Sequence, residues 1–189
     1  SGIEIPETTP ELTTEDPERS AMGQGTNSYS NVQLSRYVAA IANSGTVFDL
    51  SLLDKMTDSE GNLIKDFTPE ATGHVDIADS TWDAVHQGMR AVITDGSVSK
   101  IFKDLEVEIA GKTGTAQESR TRGNHAFFIS YGPYTNPEIC VTVNIPYGYS
   151  SSNAAMVAKN VYRFYYGYTD LESILGSGAL EVSNVKVGD

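Results

Sequence analysis

Residues 107–117 read Val-Glu-Ile-Ala-Gly-Lys-Thr-Gly-Thr-Ala-Gln, and over residues 107–115 the side chains follow a period of two. That period predicts a β-strand, because successive side chains of a strand point to opposite faces of the sheet. Two later runs, residues 125–131 and 139–145, are rich in Phe, Ile, Val and Thr and are also predicted strands. The short polar connection at residues 133–137 predicts that these two strands pair antiparallel.

Helices are predicted on both sides of these strands. Ser30-Asn31-Val32-Gln33 is a capping box, and the helical apolar stripe that follows it ends near Gly45: Leu34, Tyr37, Val38 and Ile41. A second helix is predicted from Ser80 to Gly96, with one apolar face: Trp82, Val85, Met89 and Val92. A short third helix carries Val98, Ile101 and Phe102. A closing helix has cap candidates at residues 151–153 and a stripe of its own: Ala154, Val157, Val161 and Phe164.

A hairpin is predicted between the first two helices. The turn-forming residues 58–61 are flanked by two segments, residues 48–56 and 62–67, which would be its strands. Helices, three strands and a closing helix together indicate a mixed α/β layer with an antiparallel sheet.

The composition restricts the classes of function. The 189 residues are 39% hydrophobic and 20% charged, and no apolar run approaches the roughly 18 residues of a membrane-spanning helix. The net charge of −12 argues against a nucleic-acid partner, because nucleic-acid binding depends on Lys and Arg. Residues 1–20 hold six acidic residues and three prolines, which predicts an acidic extended segment or linker over residues 1–22.

Lys112-Thr113-Gly114 combines the groups that a carboxylate slot needs. A cation and a hydroxyl lie beside a glycine, which lets a ligand approach the backbone closely. The backbone N–H of Thr115, just after the glycine, can point at a developing oxyanion. The tripeptide alone is common by chance, and its position is the more specific observation. It follows the residues of a predicted strand and precedes a polar loop and the strand that starts at His125.

The order of motifs along the chain resembles the C-terminal half of the transpeptidase domain of class B penicillin-binding proteins. Gly23-Gln24-Gly25 precedes a helix that reads Val32-Gln33-Leu34-Ser35-Arg36, similar to the family's G-Q-G and T-P-L-Q-L, with Asn31 in place of the usual proline. Residues 39–45 read A-A-I-A-N-S-G, close to the family's A-A-I-A-N-G-G. Residues 112–117 read K-T-G-T-A-Q and residues 125–128 read H-A-F-F, which favours class B over class A enzymes and over β-lactamases.

This resemblance implies a fold of the penicillin-binding transpeptidase and β-lactamase-like type. Such an α+β fold has an antiparallel sheet with helices on both faces. Of the family's five strands, three are expected in this chain, so the fold is expected to be incomplete. The C-terminal part of the transpeptidase domain is expected over residues 23–166, and a C-terminal tail over residues 167–189.

The resemblance also implies a serine D,D-transpeptidase that cross-links peptidoglycan stem peptides through an acyl-serine intermediate and binds penicillin. Residues Lys112–Thr115 would bind the carboxylate of a stem peptide ending in D-Ala-D-Ala, or of a β-lactam that mimics it. The backbone of Thr115 would be the oxyanion donor, and residues Gly23–Gly25 would support the site. For Gln24, between its two glycines, a role in turning the chain is the open alternative. No metal or organic cofactor is implied.

The whole enzyme would act on the outer face of the cell membrane, held by an N-terminal anchor absent from this chain. Its partners would be the stem peptide, β-lactams, the missing N-terminal half of the same protein and other proteins of cell-wall synthesis. The motifs do not distinguish a role in elongation from one in division or sporulation.

The chain departs from the family in lacking room for the nucleophile. Complete enzymes carry S-x-x-K and then S-x-N before K-T-G, and only 22 residues precede Gly23. The nucleophile is therefore expected outside this chain, and the fragment alone is expected to be inactive. Residues 97–100 (Ser-Val-Ser-Lys) fit S-x-x-K but sit where the family has a G-T-A-x-x-A-like segment. Residues 151–153 (Ser-Ser-Asn) fit S-x-N, but they follow K-T-G and are better suited to capping a helix.

Two other functions stay open from the sequence: a catalytically inactive binding scaffold, and a β-lactamase-type hydrolase or β-lactam sensor. Among the remaining polar residues, His125 is expected to be structural. His74 and His86 lack a metal-binding spacing with each other or with Cys140. Cys140 itself is expected to be a small buried apolar group.

Overall fold

The structure is a computed structural model, and it describes residues 1–3, 6–9, 17–24, 28–118 and 120–178. Within these ranges the chain forms six helices and seven strands. In chain order they are α1 (Pro17–Ala21), α2 (Asn31–Ala42), β1 (Thr46–Phe48), β2 (Lys55–Thr57), β3 (Leu63–Asp66), β4 (Ala71–His74), α3 (Asp79–Thr94), α4 (Ser99–Phe102), β5 (Ala110–Ala116), β6 (His125–Gly132), β7 (Ile139–Ile145), α5 (Ser151–Tyr165) and α6 (Leu171–Gly178).

The three strands predicted around K-T-G form one antiparallel sheet of order β5-β6-β7. Its register places Lys112 opposite Ile129, and Ile129 opposite Thr142. The first strand begins at Ala110, three residues after the predicted start, and β7 has the predicted bounds. The mixed α/β arrangement with an antiparallel sheet is confirmed.

Two smaller sheets lie before α3. The predicted hairpin forms between β2 and β3, and its turn is held by Asp58, whose carboxylate accepts hydrogen bonds from the N–H groups of Glu60 and Asn62 at 2.9 and 2.8 Å. The antiparallel pairing of β1 with β4 was not predicted. These two short strands are separated in the chain by the whole β2–β3 hairpin. No local turn sequence therefore predicts that they pair.

Apolar side chains cover both faces of the β5-β6-β7 sheet. On one face α3 packs against β5, and α2 packs against β6 and β7. The buried residues there form a cluster that we call the α2-side cluster: Val38, Ile41, Ala42, Trp82, Met89, Ala110 and Tyr131. On the other face α5, α4 and the end of α3 form the α5-side cluster: Ile93, Val98, Phe102, Ile109, Ala126, Phe128, Val141, Ala154, Ala155, Ala158 and Tyr162. The sheet is therefore the centre of a helix–sheet–helix sandwich.

The predicted apolar stripe of the closing helix was wrong. Helix α5 buries Ala154 with Ala155, Ala158 and Tyr162, whereas Val157, Val161 and Phe164 are 43%, 37% and 52% exposed. Small alanines let the helix approach the sheet closely, and Tyr162 fits there because its hydroxyl donates to Ser130 Oγ at 3.0 Å. The N-cap is Ser150 rather than residues 151–153, which form the first turn.

The start of α2 follows the prediction closely. Ser30 Oγ accepts from the Gln33 N–H at 3.1 Å and the Gln33 side chain accepts from the Ser30 N–H at 2.9 Å, so the capping box is confirmed. Gln33 Nε2 also donates to the Thr8 carbonyl at 2.8 Å, which places residues 6–9 beside this helix start. Within the segment that we expected to be extended, Pro17–Ala21 forms the helix α1.

Candidate active site

The K-T-G residues lie in the middle of β5, an outer strand of its sheet in the described part of the chain. Ala110, at the start of the strand, is fully buried. Lys112 and Thr115 are exposed and Thr113 is half-buried. The strand thus begins inside the core and presents its second half to solvent.

The side chains of Lys112 and Thr113 point to opposite faces of the sheet. Because side chains alternate along a strand, Lys112 lies on the face of Ala110, which packs in the α2-side cluster. Thr113 and Thr115 lie on the face of α5. A single ligand can therefore meet both Lys112 and Thr113 only along the outer edge of β5, between the two faces.

Two hydrogen bonds identify the backbone groups that point outward from the sheet. Lys112 Nζ donates to the Thr113 carbonyl at 2.6 Å on the β5 edge, and Asn31 Nδ2 donates to the Thr142 carbonyl at 3.0 Å on the β7 edge. The two observations are consistent with each other. Along each antiparallel strand, residues alternate between bonding to the neighbouring strand and facing away from it, and in this register an outward carbonyl at Thr113 requires one at Thr142. By the same alternation Thr115 presents its backbone N–H at the open edge of β5.

Lys112 is a cation available to an anionic ligand. In the part of the chain that the structure describes, no carboxylate oxygen lies within 4.0 Å of its ammonium group. Its hydrogen bond goes instead to the neutral carbonyl of Thr113. The strand edge therefore offers one positive charge, the hydroxyl of Thr113 and the outward backbone N–H of Thr115 within four consecutive residues.

Arg90 of α3 anchors the start of β5, a contact that the sequence alone did not predict. Its Nη1 donates to the Ile109 carbonyl at 2.8 Å and its Nη2 to Glu108 Oε1 at 2.8 Å. The guanidinium also lies 5.8 Å from the Tyr134 ring centroid. No local motif marks this arginine, since its partners follow 18 and 19 residues later in the chain.

Two sequences that fit catalytic motifs, S-x-x-K at residues 97–100 and S-x-N at residues 151–153, are called the decoy motifs, and both lie at the starts of helices, α4 and α5. Val98 and Phe102, which flank Lys100, pack in the α5-side cluster, on the face opposite to Lys112. Ser97 and Lys100 are exposed, and residues 151–153 form the first turn of α5. The structure therefore keeps the S-x-x-K decoy away from the lysine of K-T-G.

Gly23 and Gln24 have a local role at the end of α1. The Gly23 N–H donates to the Ser20 carbonyl at 3.0 Å and the Gln24 N–H to the Arg19 carbonyl at 2.8 Å, which is the Schellman pattern of a helix end. Gly23 adopts a φ of +76°, which favours glycine. Gly25 lies outside the described residues, so the support of the site by this G-Q-G segment stays a prediction.

The other histidines and the cysteine have structural surroundings. His86 Nε2 lies 2.7 Å from the Ile41 carbonyl, to which it donates, and its ring contacts Tyr131 edge-on. The thiol of Cys140 is half-buried, and burial raises its pKa to about 11. Across the described ranges, no three His, Cys, Asp or Glu side chains lie close enough together to hold a metal ion.

A groove runs along the outer edge of β7. It is lined by the backbone of β7, by the start of α2 at Asn31 and Ser35, and by Val157 and Val161 of α5. The two exposed valines of the predicted α5 stripe thus border an edge of β7 that no other described strand pairs with. Among the described helices, none is both long and apolar enough to cross a bilayer.

Comparison with known proteins gives concordant matches. The family model of the penicillin binding protein transpeptidase domain matches residues 1–163. Penicillin-binding protein 2B of Streptococcus pneumoniae (serotype 2, strain D39) is 32% identical over 162 residues, which cover 78% of this chain and 24% of that protein. Peptidoglycan D,D-transpeptidase MrdA of Haemophilus influenzae is 30% identical over 164 residues, which cover 76% of this chain and 25% of that protein.

The fold agrees with a solved structure of this group. Penicillin-binding protein 2B from Streptococcus pneumoniae strain R6 matches with a TM-score of 0.74 and 26% identity, over 87% of this chain and 29% of that one. The chain spans about a quarter of the length of the relatives it matches. Its motifs, its sheet and these matches agree: the chain belongs to the penicillin-binding protein transpeptidase domain family, and its resemblance to the class B members is confirmed.

Proposed function

We propose that the chain is the C-terminal part of a serine D,D-transpeptidase that cross-links peptidoglycan stem peptides and is acylated by penicillin. The observation that carries this proposal is the outer edge of β5, along which the Lys112 cation, the Thr113 hydroxyl and the Thr115 N–H follow one another within four residues. The names of the relatives, a penicillin-binding protein and a peptidoglycan D,D-transpeptidase, support the same reaction.

In this proposal Lys112 and Thr113 bind the terminal carboxylate of a stem peptide that ends in D-Ala-D-Ala, or of a β-lactam. A carboxylate lying along the strand edge accepts from the ammonium group on one side and from the hydroxyl on the other. Gly114 lets the ligand backbone lie close to the strand. No metal takes part in these contacts.

The Thr115 N–H is assigned to the oxyanion that forms when a serine attacks the substrate carbonyl. A backbone N–H fixed in a strand is already oriented before the reaction, which is how oxyanion holes lower the barrier. The second donor and the attacking serine come from residues outside this chain. The serine is activated there by its S-x-x-K lysine, because an unactivated hydroxyl is a weak nucleophile.

The remainder of the domain is proposed to dock along the groove on the β7 edge. Edge strands with free N–H and C=O groups pair readily with another strand. Val157 and Val161, exposed beside this edge, would then be covered by the same segment. We assign residues 23–166 to the transpeptidase domain and place the whole protein on the outer face of the cell membrane, held by an N-terminal anchor.

Two alternatives make different predictions for the full-length gene product that contains these residues. A β-lactamase-type hydrolase turns over penicillin many times, whereas an inactive scaffold or sensor releases no D-Ala. The proposed enzyme forms a stable penicillin adduct and releases D-Ala from pentapeptide substrates, with penicillin blocking that release. The test is to measure D-Ala release and penicillin hydrolysis side by side on the same sample. Rapid hydrolysis of penicillin without release of D-Ala would contradict the proposal and would identify the protein as a β-lactamase-type hydrolase.

A further inference from the structure

We propose that Glu118, His125 and Tyr147 form a clamp that positions the backbone just after the K-T-G segment, and with it the Thr115 N–H. The inference rests on the proposed function, because it assigns these side chains a part in acylation. They act as positioning residues, through the backbone and not on the ligand.

The clamp joins the loop after β5 to the turn after β7. Glu118 Oε2 lies 3.0 Å from His125 Nε2 and 3.3 Å from the Tyr147 hydroxyl. A carboxylate only accepts hydrogen bonds, so both partners donate and His125 carries a proton on Nε2. The same hydroxyl accepts from Arg122 Nη1 at 2.8 Å, and the guanidinium carbon lies 5.4 Å from the Tyr147 ring centroid. Glu118 near the start of the loop between β5 and β6 and Arg122 near its end therefore both bind the hydroxyl of Tyr147.

The carboxylate at the centre of the clamp stays charged at neutral pH. Its hydrogen bond from His125 is the main cause that holds the pKa of Glu118 below the ordinary value, and the bond from Tyr147 adds to it. The rings of His125 and Tyr147 also pack together, with centroids 5.0 Å apart. Polar and ring contacts thus fix the same pair of side chains.

The backbone of the turn is held in a conformation that is rare for its residues. Tyr147 and Tyr149 have φ values of 54° and 61°, in the left-handed region that favours glycine. Non-glycine residues persist there only when their surroundings fix them, and such residues gather at functional sites. Tyr149 holds the far end of the loop, because its N–H donates to the Asn124 carbonyl at 3.0 Å and its ring packs on Gly123, where a Cβ would lie 3.0 Å from the ring.

The clamp is close enough in sequence to set the position of Thr115. His125 is the register partner of Ala116, and Thr115 is paired with Ala126, so the clamp closes the last pair of the β5–β6 ladder. Glu118 follows only two residues after Ala116. If the clamp is lost, the end of β5 can separate from β6, and the Thr115 N–H then loses the fixed direction that an oxyanion donor needs.

A purely structural role of the clamp predicts a different outcome. The side chains of Glu118 and His125 are 59% and 20% exposed, and contacts between partly exposed polar side chains contribute little to global stability. We therefore expect variants of the clamp to unfold at nearly the same urea concentration as the wild type. Their effect should appear in the rate of acylation and not in the affinity for the carboxylate, which Lys112 provides.

The experiment uses the full-length gene product and a fluorescent penicillin, with binding affinity and acylation rate measured separately. Tyr147→Phe removes one hydroxyl and His125→Leu removes the donor to Glu118; each should slow acylation about tenfold and leave the dissociation constant within twofold. His125→Gln keeps an N–H donor and should recover most of the rate. Asp104→Asn is the matched control, because Asp104 forms a similarly exposed ion pair with Lys159, far from this loop in sequence; it should stay within twofold of the wild type.

A second readout does not depend on acylation. Arg120 and Arg122 make the loop a trypsin substrate, and the clamp should protect it. Cleavage after these arginines, followed by mass spectrometry, should be about tenfold faster in Tyr147→Phe and His125→Leu and unchanged in Asp104→Asn.

The two readouts separate the possible failures. Equal trypsin rates in wild type and clamp variants would overturn the clamp, whether or not the wild type is acylated. Faster cleavage with an unchanged acylation rate would overturn its positioning role. A wild-type protein that penicillin does not acylate would overturn the proposed function and the link to acylation, and the trypsin rates would still decide whether the clamp holds the loop.

Discussion

The ammonium nitrogen of Lys112 lies 2.6 Å from the carbonyl oxygen of Thr113, its neighbour in β5. This bond joins a charged donor to a neutral acceptor, and a carboxylate is a stronger acceptor for the same group. A ligand carboxylate at the strand edge would therefore take the place of the Thr113 carbonyl. The Lys112 side chain is thus already held at the edge of the strand, with a hydrogen bond that a ligand carboxylate can replace.

Replacement of Lys112 tests this exchange. In the full-length gene product, Lys112→Ala should slow acylation by penicillin by one to two orders of magnitude, because a hydrogen bond to a charged group contributes about 1.5–3 kcal/mol. Lys112→Arg should recover only part of the rate, since a planar guanidinium replaces a compact ammonium group. Lys100→Ala, at the exposed lysine of the decoy motif, is the control and should leave the rate unchanged. An unaltered rate in Lys112→Ala would remove this lysine from the site.

Two buried tyrosines offer a matched pair for stability. The Tyr162 hydroxyl donates to Ser130 Oγ, whereas the Tyr131 hydroxyl is buried and has no hydrogen-bond partner among the described residues. We expect Tyr162→Phe to lower the free energy of unfolding by about 0.5–1.5 kcal/mol and Tyr131→Phe to leave it unchanged or raise it slightly. Urea titrations of both variants measure the difference. The reverse order of stabilities would contradict the hydrogen-bond assignment.

Alkaline pH should destabilise the protein through Tyr131. Burial raises the pKa of Tyr131 to about 12 from an ordinary value of 10.0. Between these values the unfolded chain releases the proton and the folded chain keeps it, so stability falls as the pH rises. The full contribution is present below pH 10, and up to about 2.7 kcal/mol is lost by pH 12. Tyr131→Phe should flatten this part of the stability profile; a profile equally steep in the variant would place the titrating group elsewhere.

The open edge of β7 predicts association of the isolated chain. Its outward backbone groups and the exposed Val157 and Val161 form an apolar strand edge, which is an aggregation hazard. The 189-residue chain on its own should therefore self-associate or bind a partner chain. Sedimentation velocity over a range of concentrations measures this. A monodisperse monomer with cooperative unfolding at dilute concentration would show that the edge needs no cover.

The sequence predicted the sheet well because its signals are local. A period of two, aromatic and β-branched runs and a five-residue polar connection were enough to place β6 and β7 and to pair them. The face of α5 was predicted wrongly, because the apolar period alone does not reveal that small Ala158 approaches the sheet and larger Val157 does not. The spacing of apolar residues predicts that α5 is a helix with an apolar face. Which of two neighbouring faces is buried depends on how closely each can pack against the sheet.

The candidate site was predicted only where one motif contains it. Lys112 and Thr115 belong to a contiguous pattern, so their strand and their order were readable. Arg90 and Tyr147 were missed, because they contact this region from helices and turns 18 to 29 residues away in the chain. Such contacts depend on the tertiary fold, and a single sequence carries no local signal for them.

Whether the nucleophile lies outside these residues is decided by the mass of the protein after incubation with penicillin, followed by peptide mapping of any adduct. We expect the full-length gene product to gain one penicillin, mapped to a serine outside residues 1–189, and the 189-residue chain alone to gain none. The reason is that, among the described residues, no base is hydrogen-bonded to the hydroxyl of Thr113 or Thr115, and half an oxyanion hole forfeits about 2.7–4 kcal/mol of transition-state stabilisation. A stoichiometric adduct on Ser97, or on any residue of this chain, would contradict the claim that the nucleophile comes from outside it.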